Sequence, residues 1–168
     1  MTTASLRRAV EAHLGSRQVA RVIYGAIIGL ALVVALGKLP PAPGIVAGSL
    51  LVTAFAVALA EVYSEVVGIQ TRTGRRVRRE EFGEVADGAV AVAFGIGFPA
   101  LFFLLAVVDA IERDTAFTVA AWSGAALIAF YGFWAARLAG AGLAIAVLQA
   151  LAVSIVGVVL IALKALVH

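Results

Sequence analysis

A chain of 168 residues that is 63% hydrophobic and 14% charged, with mean hydropathy +1.07, cannot cover its apolar side chains as a water-soluble globule. The absence of cysteine excludes disulfides, thiolate metal sites and thiol catalysis. A net charge of +3 is small, and the placement of the basic residues says more than their number.

Residues 1–19 place Leu6, Val10, His13 and Leu14 at helical spacing, with Arg7, Arg8, Glu11 and Arg17 mostly off that face. This predicts a short amphipathic helix lying in the lipid headgroup plane. His13 reads as an interfacial residue rather than a metal ligand, and His168 as a solvent-exposed terminus. Five apolar stretches follow, over about 21–37, 44–67, 88–108, 117–136 and 143–167. Each approaches or exceeds the ~20 helical residues that ~30 Å of hydrocarbon requires. The predicted fold class is all-α: one domain over 1–168, a polytopic five-transmembrane-helix bundle in a lipid bilayer.

In the first stretch Gly25 and Gly29 form a small-xxx-small pattern suited to close helix packing. Pro40, Pro41 and Pro43 end it, because proline cannot donate the backbone bond that a continuing helix needs. The second stretch closes on Glu61 and Glu65, one helical turn apart and on one face. Glu61 falls ~25 Å along the helix, near the edge of the hydrocarbon, where an acid calls for a partner, a proton or a cation. Arg75, Arg76, Arg78 and Arg79 are candidate partners. The connection over 68–87 carries five arginines and then Glu80, Glu81, Glu84 and Asp87. It reads either as a solvated face or as a cation-collecting mouth. Oxygen-rich groups of this kind suit hard divalent ions, which makes Glu80, Glu81 and Glu84 candidate metal ligands and Asp87 a candidate ion or proton site.

Gly95, Gly97 and Pro99 predict a break at the middle of the third stretch, a device that exposes backbone groups to a cavity in some transporters. Trp122, Tyr131 and Trp134 sit near the ends of the fourth, as interfacial aromatics do. Arg137 closes that helix within reach of Glu61 or Asp87, while Gln149 and Ser154 are expected to hydrogen-bond to neighbouring helices.

With a cytoplasmic N-terminus, the inner segments hold Arg7, Arg8, Arg17, Arg21, Arg72, Arg75, Arg76, Arg78, Arg79 and Arg137, against Lys38, Arg113 and Lys164 outside. Basic residues in short loops resist translocation, so the N-terminus is expected inside and the C-terminus outside. No cleavable signal peptide is expected before the first stretch, whose lead is polar and lacks a small-residue cleavage site. No Ser/His/Asp arrangement, H-E-x-x-H, P-loop or strand-flanked glycine signature is present, so neither an enzyme nor a cofactor is expected. Topology accounts for the arginines, and no nucleic-acid partner is expected.

Glu11-Ala12-His13-Leu14-Gly15-Ser16, followed by Val22-Ile23-Tyr24-Gly25-Ala26-Ile27-Ile28-Gly29-Leu30, resembles the start of vacuolar iron transporter family proteins. There a His/Gly-Ser lead precedes a G-A-N-D-G-L motif. Ala58-Leu59-Ala60-Glu61-Val62-Tyr63-Ser64 is similar to the family's M-x-x-G-E-Y-x-S segment, and Gly132 to Gly142 to the stretch joining its fourth and fifth spans. The resemblance implies a five-span, dimeric cation transporter in which Glu61 corresponds to a family acid. The chain departs from the family at Ile27 and Ile28, which replace the Asn-Asp pair, and in having a short, mainly basic segment where metal-binding members carry a long Glu-rich domain. Two functions therefore compete. One is a small transporter or channel moving a cation, with or without a proton, through a homo-oligomeric bundle; the other is a non-transporting structural or accessory protein that keeps the scaffold. Desolvation of Glu61 beside Glu65 would suit the first by raising its proton affinity.

Overall fold

The computed structural model describes the backbone of residues 18–166 and the side chains through Ile155 and of Val159. All but the end of the expected amphipathic helix, together with His13 and His168, lies outside the described residues. Among the described residues six helices follow in order: α1 (Gln18–Leu36), α2 (Pro43–Thr73), α3 (Arg79–Gly97), α4 (Ala100–Val107), α5 (Arg113–Leu138) and α6 (Leu143–Leu166). No strand occurs among the described residues. Helices α1, α2 and α5 are each long and apolar enough to cross a membrane, and α3 with α4 makes a fourth crossing if the bent pair is one span. Of the predicted fifth span, α6 is apolar as far as Ile155.

The helix boundaries follow from a few residues. Pro43 opens α2 at a position where no backbone N–H is needed. The helix then runs 31 residues, about 46 Å, and its last turns extend beyond a ~30 Å hydrocarbon layer. It stops at Gly74, whose φ of 65° places it in the left-handed region and whose N–H donates to the Gln70 carbonyl at 2.9 Å. The connection expected over 68–87 is therefore mostly helical: the turn itself occupies only 74–78, and α3 starts at Arg79 rather than near Gly88. Charge there marks a water-exposed helical hairpin, since Glu, Gln and Arg are good helix formers.

The pair α3–α4 is broken between Gly97 and Ala100, with a 50° bend between the two helices. Pro99 has no N–H to give to the Gly95 carbonyl, and the turn tightens to three-residue bonds from Leu101 to Phe98 and from Phe102 to Pro99.

Helix α1 is the centre of the bundle, packing against α3, α5, α6 and α2. Its tightest contact is with α3, where glycines of both helices bring backbone onto backbone. A Cβ on Gly25 would run into the Val92 carbonyl, and one on Gly29 would lie 2.9 Å from the Ile96 carbonyl. A Cβ on Gly95 would meet the Val22 carbonyl and, at 2.6 Å, the Ala26 nitrogen. In lipid, where apolar burial gives little drive for helix association, such close van der Waals contact supplies much of the cohesion. Gly25 and Gly29 are thus used within the chain, between α1 and α3.

Three apolar clusters fill the rest. Val33, Leu50, Phe103 and Phe117 join α1, α2, α4 and α5, with Phe103 edge-on to Phe117 at 4.8 Å. Leu30 and Ile128 join α1 to α5, with Ile27 packed against them. Ala54, Val92 and Ile96 join α2 to α3, with Ile28 against them. Ile27 and Ile28 therefore serve apolar packing. Ser154 donates to the Ala150 carbonyl of its own helix at 2.7 Å rather than to a neighbouring helix.

Candidate functional site

The charged end of the bundle, beside the α2–α3 hairpin, gathers Arg21 of α1 with Glu61, Glu65 and Arg72 of α2. Arg21 Nε lies 3.1 Å from Glu61 Oε1, and Nη2 lies 3.6 Å from Glu65 Oε2. The other Glu65 oxygen is 3.6 Å from Arg72. One guanidinium thus spans two carboxylates a helical turn apart, which offsets their mutual repulsion. The side chains of Arg21 and Glu61 are only 20% and 24% exposed, so water screens this contact less than an ordinary surface pair.

Gly88 of α3 makes room for the guanidinium. A Cβ there would overlap Arg21 Nη1 and Cζ and approach Nε to 3.0 Å. The arginine is therefore enclosed by α2 on one side and by bare α3 backbone on the other.

A cleft of about 470 Å³ opens beside this group, lined by Arg21, Glu65, Arg72, Glu81, Glu84 and Asp87. A second, of about 370 Å³, lies between Asp87, Val22, Phe94 and Tyr131. Asp87 borders both. A separate cleft of about 290 Å³ at the opposite end is lined by Val34, Pro40, Asp114, Phe117 and Trp122 and shares no lining residue with the other two. Between the ends the described core contains no buried polar or charged side chain.

The hairpin acids have different surroundings. Glu81 receives a two-pronged contact from Arg75 at 2.6 and 2.9 Å and the Arg78 backbone N–H at 2.8 Å. The Arg75 hydrogen bonds, followed by that from the Arg78 backbone, hold its carboxyl at about 2 rather than 4.5. In this polar hairpin, outside the apolar spans, Glu81 is committed to closing the turn. Glu80 and Glu84 are exposed on α3, and no three acidic or imidazole groups converge on a metal position among the described residues. Among the described residues the candidate ligands Glu80, Glu81 and Glu84 do not come together as a group that could hold a metal ion.

The partner of Glu61 and Glu65 is likewise different from those expected. Arg75 is engaged with Glu81, and Arg137 donates to the Ala141 carbonyl at 2.9 Å. Arg21, which the charge count treats only as a topology marker, takes the role. A signal was present: Arg21, Gly25 and Gly29 recur every four residues and share one face of α1, while Gly88, Val92 and Gly95 share the facing stripe of α3. Gly95, Gly97 and Pro99 do not join this group; Gly97 and Pro99 sit at the break deeper in the bundle, while Gly95, still within α3, lies against α1.

The chain matches no family model, no curated protein and no solved structure.

Proposed function

We propose that the chain is a five-crossing integral membrane transporter or channel-like protein that moves a small cation, alone or in exchange for a proton. In this reading its N-terminus is cytoplasmic, its C-terminus is outside, and Glu61 and Glu65 are the ion-binding groups at the cytoplasmic mouth. The observation that carries this is the pairing of two carboxylates with an open charged cleft: Glu65 lines it, Glu61 is one turn deeper, and Asp87 stands on its far wall. The broken third crossing and the motif resemblance to vacuolar iron transporters support the same reading. Because the described core of a single chain is apolar, the route runs between two copies in a homodimer. Helix α2 offers the surface, with Val52, Phe55 and Leu59 exposed along it below Glu61 and Tyr63 exposed between Glu61 and Glu65.

A specific observation favours the alternative of a non-transporting scaffold: both carboxylates are already ion-paired, Glu61 with Arg21 and Glu65 with Arg21 and Arg72, and Ile27 and Ile28 are packing residues. Purified protein in liposomes separates the two. Uptake of protons, monovalent and divalent cations is expected above empty vesicles, and Glu61→Gln should reduce it by about tenfold, equivalent to ~1.4 kcal/mol of lost cation stabilisation. No flux, or flux indifferent to that substitution, would leave the scaffold reading.

A further inference from the structure

We propose that Arg21 is a tethered cation: it occupies the Glu61–Glu65 site in the resting structure, and a mobile cation enters only by displacing it. This regulation rests on the transport reading above.

The guanidinium sits where an arriving cation has to sit, between Glu61 Oε1 and Glu65 Oε2. It is the far end of a long side chain, so it can leave without moving a helix, whereas the backbone contact of α1 with α3 just beyond it at Gly25 and Gly95 stays fixed. A destination lies nearby, since Glu84 and Asp87 line the same cleft as Arg21. The exchange is also balanced in charge: one monovalent ion replacing one guanidinium leaves the field at the two carboxylates nearly unchanged. A divalent ion would need further oxygen ligands, and the described residues bring no third acid to this position. Gly88 is the element that permits the resting state, because any side chain there takes the space of the guanidinium.

The test uses the full-length protein in lipid vesicles, with labelling of Glu61 and Glu65 by a hydrophobic carbodiimide read by mass spectrometry. Wild type is expected to label weakly. Gly88→Ala, which crowds the arginine out, and Arg21→Gln, which removes the cation without adding bulk, should each label several-fold more, and sodium or potassium should suppress the gain. The double variant should label no more than Arg21→Gln alone, because both changes act on one occupant. Unchanged labelling in Arg21→Gln, or a gain that monovalent cations do not suppress, would overturn the proposal. Additive gains in the double variant would also overturn it, by showing that Gly88→Ala merely loosens packing. Unmasked and cation-protected carboxylates in vesicles without flux would uphold the tethered cation and reject transport. Glu61-dependent flux with unchanged labelling would do the reverse.

Discussion

Gly95→Leu is expected to prevent α1 from seating on α3 and to cost about 3 kcal/mol or more, the upper range for overpacking a tight interior. The cost is high because the obstacle is backbone: the first atom of the new side chain already meets the Val22 carbonyl and the Ala26 nitrogen, neither of which can rotate away. Helix α1 would have to shift outward. That shift would also loosen its contacts through Leu30 with Ile128 and through Val33 with Phe103. Relief by sliding is blocked in turn, since Gly25 and Gly29 are in similar contact with Val92 and Ile96. Gly83→Leu on α3 is the matched control, because nothing lies within 4 Å of a Cβ there. Thermal unfolding in detergent, followed by size-exclusion profile, should show Gly95→Leu aggregated or strongly destabilised and Gly83→Leu close to wild type. Equal behaviour of the two would contradict the packing described.

Arg21→Ala is expected to cost about 2 kcal/mol, below the value for a fully buried pair because these side chains retain some solvent contact. Two carboxylates one turn apart would then face each other with only the exposed Arg72 nearby. Most of the penalty is unpaired charge rather than lost contact. Glu61→Gln in the same chain should therefore recover a large part of it, giving a clear coupling energy in a double-mutant cycle. Additive losses would mean that Arg21 and Glu61 do not share the contact seen here.

The long apolar helices α1, α2 and α5 were legible in the sequence because length and hydropathy decide them, and Pro99 with its neighbouring glycines marked the break between α3 and α4. The hairpin was not, because charge density alone does not distinguish a loop from a helix that has left the hydrocarbon. Only Gly74 stops α2, and its effect depends on the Gln70 carbonyl being free to accept. Glu61 and Glu65 stood out as acids at an unusual depth. Their partner did not, since pairing across helices depends on which faces of α1 and α3 meet, and that is fixed by Gly25, Gly88 and Gly95 acting together. The acids at Glu80, Glu81 and Glu84 looked alike in sequence, yet Arg75 and the Arg78 N–H single out Glu81 for turn closure.

The central claim is that the Arg21, Glu61 and Glu65 group borders a hydrated cleft reached from the side of the α2–α3 hairpin. Because the chain has no native cysteine, Ile69→Cys places a single thiol in the wall of that cleft. In vesicles of known orientation, a membrane-impermeant maleimide is predicted to label it from the hairpin face and not from the opposite face. Labelling from the opposite face, or from neither, would contradict the account.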